Sequence, residues 1–280
     1  MPRIGVILLC AFGAVLSTLV RVPSVTARVI PGDAFLCAEA KAARAPRGGP
    51  PLPTFHARVG VSVIDRFTRP LPSERYTLDL KKAEAFCPPV RIDEEDVTDP
   101  LHGLEIYEGR RTRRKPAPPP LPTVIETVES AFGVLSLRVG AVDALQVPTL
   151  ATGSVGGSGP ERDHFACYQV KEERGPGSRR GALRVAVRGV DGVRTVEVRK
   201  PVRLCVPASV RGADAGAPKH PVDLLCFDAR VARVAGEPRP PTSDLLATRN
   251  PFGNEVLKVG ASRALCVPAS PRHSSGTRDR

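Results

Sequence analysis

Four stretches of the chain share one alternation of apolar and polar residues. They are Phe35-Leu36-Cys37-Ala38-Glu39-Ala40-Lys41, Leu104-Glu105-Ile106-Tyr107-Glu108-Gly109-Arg110, Phe165-Ala166-Cys167-Tyr168-Gln169-Val170-Lys171 and Leu224-Leu225-Cys226-Phe227-Asp228-Ala229-Arg230. Each opens with an apolar residue two places before a cysteine position and ends on Lys or Arg. A period of two predicts a half-buried strand. A second strand and a turn follow: Asp65-Arg66-Phe67-Thr68, Ser130-Ala131-Phe132-Gly133, Gly189-Val190-Asp191-Gly192 and Asn250-Pro251-Phe252-Gly253. A third strand then sets apolar residues at alternate places: Leu78 and Leu80, Leu137 and Val139, Val196 and Val198, Leu257 and Val259. The closing motifs are Phe86-Cys87-Pro88-Pro89, Leu145-Gln146-Val147-Pro148, Leu204-Cys205-Val206-Pro207 and Leu265-Cys266-Val267-Pro268. Closing positions 87, 146, 205 and 266 lie 59, 59 and 61 residues apart, so the chain reads as four homologous units of about sixty residues.

This pattern predicts an all-β protein. With 30 prolines and a single methionine, the chain is interrupted too often for long helices, whereas short strands between turns tolerate proline. One unit of about four short strands cannot cover its own apolar face, so units must pack on one another. The Gly/Ser-rich run at 151–160 falls between units two and three and reads as a flexible linker. It divides the chain into a β domain over 28–149 (units one and two), a linker over 150–161 and a β domain over 162–270 (units three and four). A tail over 271–280 has a disordered composition. Each domain is expected to be a β-sandwich or barrel-like fold; the alternative is a four-bladed propeller with one unit per blade. Proline-rich inserts at 46–53 and 116–122 read as extended, solvent-facing loops.

The first residues change the picture. Arg3 precedes an uncharged apolar stretch from residue 4 to 20, and Val25 and Ala27 occupy the −3 and −1 places of a small-residue cleavage site. The segment 1–27 therefore reads as a secretory signal, the alternative being a retained anchor. Its removal takes Cys10 and leaves Cys37, Cys87, Cys167, Cys205, Cys226 and Cys266, an even number with no C-x-x-C spacing. In an exported chain these imply disulfides rather than a zinc ribbon or thiol-redox chemistry. Unit two holds Ile106 and Gln146 at its two cysteine positions, so both are missing together. Pairing within each unit accounts for this joint absence and predicts Cys37–Cys87, Cys167–Cys205 and Cys226–Cys266. The same reasoning places Ile106 and Gln146 as a bridge would place them.

The formal net charge is +12, with Arg well in excess of Lys. A high-GC coding bias produces the same composition, but a basic protein also tends toward anionic surfaces. The basic run Arg110, Arg111, Arg113, Arg114 and Lys115 precedes a proline-rich stretch and reads as an exposed loop able to dock anionic surface polymers. With few aromatics to stack bases, specific nucleic-acid binding is not expected. Asp93, Glu94, Glu95, Asp96 and Asp99 offer oxygen ligands at a spacing that matches no calcium loop. His102, His164 and His220 precede three opening strands, a positional recurrence rather than a metal set. Tyr107, Tyr168 and Phe227 could stack sugars, though strand-face packing is the plainer use. No nucleophile elbow, zincin helix or phosphate loop is present, and no catalytic, metal or cofactor residues are assigned.

The motifs DHFACYQVK, KPVRLCVPA, DLLCFDAR, NPFGNEVLKV and ALCVPAS, spread over residues 163–270, resemble a family of secreted proteins, domain of unknown function 7450, found in high-GC, myxobacteria-like Gram-negative bacteria. Units one and two match more loosely. The resemblance implies an exported module that looks non-catalytic and has no established activity. The expectation is a secreted or periplasmic structural or interaction module, without a transmembrane span once processed. The alternatives are a carbohydrate- or calcium-binding adhesin and a secreted hydrolase.

Overall fold

Each alternating stretch becomes a strand. The computed structural model describes residues 32–68, 76–92, 97, 99–113, 123–151, 163–173, 181–234 and 245–272. The signal segment 1–27, the acidic run 93–96, the insert at 116–122 and residues 152–161 of the linker lie outside them. The opening strands are β1 (Ala34–Ala42), β5 (His102–Arg111), β8 (His164–Glu172) and β11 (Asp223–Val231). The long closing strands are β3 (Tyr76–Cys87), β7 (Gly133–Ala151), β10 (Gly192–Val210) and β13 (Gly253–Pro271). Between them come β2 (Arg58–Asp65), β6 (Val124–Ser130), β9 (Leu183–Gly189) and β12 (Leu245–Asn250), with the short β4 (Pro89–Val90) after β3. The only helical turns among the described residues are 3-10 turns at Arg66–Thr68 and Ala217–Lys219. The fold is all-β.

Antiparallel pairing runs β1–β3–β5–β7–β8–β10–β11–β13 and returns from β13 to β1. The eight opening and closing strands thus form a closed ring in which the first strand pairs with the last. Closure leaves no free edge in the ring. This corrects the expected division into two β-sandwich or barrel-like domains, since one ring spans both halves, and it is not a propeller either. β7 pairs with β8 from Gln146↔Phe165 to Leu137↔Glu172, so the two halves share one sheet where a linker alone was expected to join them. Of the tail expected over 271–280, Pro271 lies opposite Val128 and the Arg272 amide donates to the Thr127 carbonyl, whereas 273–280 lie outside the described residues.

Closing strands bend at one recurring place. The register between β3 and β5 slips by one residue at Leu80/Ala83 and again at Ala83/Ala85. The same double slip falls at Val139/Val142 and Val142/Ala144, at Val198/Pro201 and Pro201/Arg203, and in β1 at Cys37/Ala38 and Ala38/Ala40 opposite β13. Bulges sharpen right-handed twist and let a sheet curl shut. On the N-terminal side of the bend, each closing strand keeps its ring partner and also forms half of a hairpin with β2, β6, β9 or β12.

Those hairpins cross the outside of the ring. β2 pairs with the end of β10, β6 with the end of β13, and β12 with the end of β7, while Arg188 of β9 bridges Arg91 next to β4. In three of the turns a side chain before the aromatic residue fixes the backbone. The Phe67, Phe132 and Phe252 amides donate to Asp65 Oδ1 (2.9 Å), Ser130 Oγ (3.3 Å) and Asn250 Oδ1 (2.8 Å). Gly133 (φ 97°) and Gly253 (φ 134°) complete two of these turns in the left-handed region. The aromatic rings then stand edge-on against residues of distant opening strands: Phe67 on Tyr168 at 5.0 Å, Phe132 on Phe227 at 5.1 Å and Phe252 on Tyr107 at 5.6 Å. The main core lies between hairpins and ring, and holds Leu78, Leu80, Leu137, Val139, Val196, Val198 and Leu257.

A second core fills the lumen. Phe35, Leu104 and Leu224, with the half-buried Phe165, form one level; the six cysteines with Ile106 form the next. The disulfides are Cys37–Cys87, Cys167–Cys205 and Cys226–Cys266, each joining an opening strand to the closing strand beside it. Neighbouring bridges touch: Cys37 Sγ lies 3.7 Å from Cys266 Sγ, and Cys205 Sγ 3.9 Å from Cys226 Sγ. In the fourth place Ile106 lies directly opposite Gln146 in the β5–β7 ladder, as Cys226 lies opposite Cys266 in β11–β13. Gln146 turns its amide toward Cys226 Sγ (3.7 Å) and Cys266 Sγ (3.8 Å).

Candidate binding cleft at the barrel mouth

Two residues before each closing position the lumen narrows to Ala85, Ala144 and Ala264, but the corresponding residue of β10 is Arg203. Its guanidinium reaches two other closing strands. Nε donates to Asp143 Oδ1 (2.9 Å), and Nη2 to both oxygens of Glu84 (3.1 Å each) and to Asp143 Oδ2 (3.1 Å). Burial disfavours the charge on Arg203, yet Asp143 and Glu84 outweigh it and hold its pKa above the usual value. Alongside, Arg263 donates to Glu39 at 2.9 Å and Gln169 to Asp143 at 3.2 Å. A ring of paired charges thereby caps one end of the lumen.

Above this cap opens a cleft of about 920 Å³, lined by residues of β3, β7, β8, β10 and β13. Glu84, Asp143 and Arg203 form its floor, and it extends along β7 and β8 past Arg138, Lys171 and Glu172, with Lys200 on the β10 side. Its volume falls within the range of small-molecule sites. The walls mix charged side chains with apolar ones, among them Val139, Val170, Pro201 and Val202.

The basic run expected to form one exposed loop is divided. Arg110 and Arg111 continue β5, opposite Asp79 and Leu78, and Arg111 stands 6.0 Å from the Tyr76 ring centroid. Arg113 is exposed just after the strand, and Arg114 and Lys115 lie outside the described residues. The charges sit here because the alternation carries β5 two residues past its last apolar contact.

The three aromatic residues considered for sugar stacking are buried: Tyr107 0 %, Tyr168 1 % and Phe227 1 % exposed. They serve the core. His102 Nδ1 donates to Asp99 Oδ1 (3.0 Å), burial lowers the pKa of His164, and His220 lies 2.6 Å from Asp163, which raises its pKa. These histidines do not converge. Asp163, Asp214 and His220 lie close enough to share an ion, but His220 is exposed and its pairing with the half-buried Asp163 accounts for their proximity.

Sequence reasoning missed the buried acids. Asp65 is fully buried and accepts from Tyr168 (2.6 Å) and Tyr76 (2.8 Å). Burial raises its pKa against those bonds. Glu105 and Glu255 form a buried pair. Tyr107 donates to Glu255, and Asn250 donates to Glu105 at 2.9 Å and to the Tyr107 hydroxyl at 2.7 Å. Glu105 Oε1 and Glu255 Oε2 have no donor among the described residues. Burial, then the hydrogen bond and charge of Glu255, push Glu105 up to about 9. The shift favours the protonated form of Glu105, whose O–H is a donor of the kind these two oxygens lack. Asp223, pushed up to about 6 by burial against the pull of Arg66, ties β11 to that arginine, which also bonds Glu126 at 3.0 Å. These groups sit between ring and hairpins, away from the cleft.

No family model matches the chain, and neither the curated proteins nor the solved structures compared with it give a match. Among the described residues, no helix is long and apolar enough to cross a membrane.

Proposed function

We propose that the chain is an exported, non-catalytic interaction module, secreted or periplasmic, whose barrel is a rigid frame for surface recognition. The observation that carries this is the position of the disulfides. All six cysteines are 0–2 % exposed and line the lumen, so an oxidant reaches them only before the ring closes. Folding that depends on such oxidation belongs to a compartment that oxidises thiols. The signal-like segment 1–27 and the resemblance of residues 163–270 to a family of secreted proteins support the same reading. The strongly shifted carboxyl groups, Glu105 and Asp223, hold core elements together rather than facing the cleft, which favours recognition over catalysis. The basic surface makes anionic surface polymers the favoured partner class.

The test is expression of the full chain in a Gram-negative host, followed by fractionation and intact-mass measurement. The expected product lies outside the cytoplasm, starts after Ala27 and is lighter by six hydrogens than the reduced chain. A cytoplasmic, fully reduced and folded product retaining Met1 would overturn the proposal.

A further inference from the structure

The penultimate residues of the opening strands are Lys41, Arg110, Lys171 and Arg230, and the register decides what each one meets. Arg110 lies opposite Asp79, and Arg230 opposite Glu197, to which it donates at 3.1 Å. Lys171, by contrast, lies opposite Arg138, and Lys41 opposite Lys258. Like charges directly opposite one another destabilise an antiparallel pair. Of these two like-charged pairs, Arg138 and Lys171 line the cleft, whereas Lys41 and Lys258 do not.

Most charges around the cleft are already matched. Arg138 has Glu173 at 2.6 Å, Arg263 has Glu39, and Arg203 occupies both Glu84 and Asp143. Glu172 is also engaged. Lys171 and Lys200 are both exposed and have no ion pair or hydrogen bond among the described residues. The cleft therefore presents two uncommitted ammonium groups above a floor of matched charge.

We infer that this cleft binds an acidic saccharide unit, with Lys171 and Lys200 holding its phosphate or carboxylate group. The inference rests on the reading of the chain as an interaction module and gives that module a site. An anion would give Lys171 and Lys200 the counter-charge that Glu173 already gives Arg138, and the cleft has room for a sugar ring beside the charged group. Its polar, matched floor suits hydroxyl groups better than an apolar ligand. The site lies on the ring itself, not on the basic run that ends β5.

Titration calorimetry on the disulfide-intact mature chain tests this with glucose 6-phosphate, glucuronate and glucose as probes. One site per chain is expected for at least one anionic probe and none for glucose, with affinity falling as salt rises. Preference for glucose 6-phosphate assigns a phosphate group, and preference for glucuronate a carboxylate. Lys171→Ala and Lys200→Ala should each weaken binding about tenfold, the effect of losing one charge-assisted contact. Lys171→Glu should abolish binding while leaving the melting temperature equal or higher, because it turns a like-charged cross-strand pair into an opposite one. Lys41→Glu should leave binding unchanged. Equal binding of glucose, no binding of either anion, or full affinity in the two Lys→Ala variants would overturn the inference. Affinity lost instead in Arg110→Ala/Arg111→Ala would move the site to the end of β5 and overturn it too. Each of these failures leaves the export and oxidation test of the module untouched, and failure of that test leaves the titration intact.

Discussion

Replacing Glu105 by Gln should stabilise this protein, and by an amount that depends on pH. Glu105 is 0 % exposed and shares its site with Glu255, Tyr107, Asn250 and Thr248. Burial first, and Glu255 second, raise it from the usual 4.5 to about 9. An acid whose folded pKa is raised keeps a proton that the unfolded chain has released. The unfolded state therefore gains with every pH step between those two values, by about 1.4 kcal/mol per unit. At pH 7 the accumulated loss is about 3 kcal/mol, it grows toward pH 9 and it vanishes below pH 4. Glutamine keeps the shape, offers a carbonyl oxygen to Asn250 and carries a permanent donor for Glu255. Urea unfolding with the disulfides intact, at pH 4, 7 and 9, should show parent and variant converging at pH 4. The variant should lead by up to about 3 kcal/mol at pH 7, and by more at pH 9. Parallel pH curves, or a variant less stable throughout, would refute the account of a shared proton.

Other outcomes follow from named contacts. Ile106→Cys with Gln146→Cys should form a fourth bridge, seen as two further hydrogens lost by mass, and raise stability by up to about 4 kcal/mol for a loop of that length; free thiols at both positions would contradict the ladder register. Arg66→Ala leaves Asp223 buried without its cation, so its carboxyl rises above the value of about 6 it has beside Arg66; unfolding at pH 8 should cost about 3 kcal/mol less than in the parent, with the gap narrowing as the pH falls toward 6 and constant below it. A pH-independent loss would point to packing instead. Phe132→Ala removes the edge contact with Phe227 and should destabilise by about 2 kcal/mol, while the closed ring keeps its far-ultraviolet circular dichroism signal.

The alternation in the opening strands made β1, β5, β8 and β11 legible, and the joint absence of both cysteines from unit two, where Ile106 and Gln146 stand instead, made the bridge pairing legible. Alternation reports which face of a strand is buried, not which strand lies beside it. The pairing of β7 with β8 and of β13 with β1 therefore left no local trace, and the Gly/Ser run between them suggested a boundary instead. The buried acids were hidden for a related reason. In Leu104-Glu105-Ile106 the acid looks solvent-facing if only one face of the sheet is covered. Here the lumen covers one face and the hairpins cover the other, so Glu105 is enclosed. Arg110 and Arg111 resembled a loop because a charge run is usually solvated, whereas the ladder to β3 carries them as strand. The cleft depends on Lys171 facing Arg138 across two strands, and sequence spacing alone does not set that register.

Because the first strand of the ring pairs with the last, a ribosome delivers β1 some two hundred residues before its partner β13 exists. Until then β1 presents an unsatisfied backbone edge, the kind of surface that recruits stray strands and aggregates. The bridges suit this long wait. Each is contained in its own unit, with sequence separations of 50, 38 and 40, so each has both thiols as soon as that unit has emerged. In the finished ring, however, sulfurs of different bridges lie within 4 Å of one another. A chain that reaches closure with its thiols still reduced has two candidate partners for several of its cysteines. Oxidation within each unit before closure would leave each cysteine a single partner.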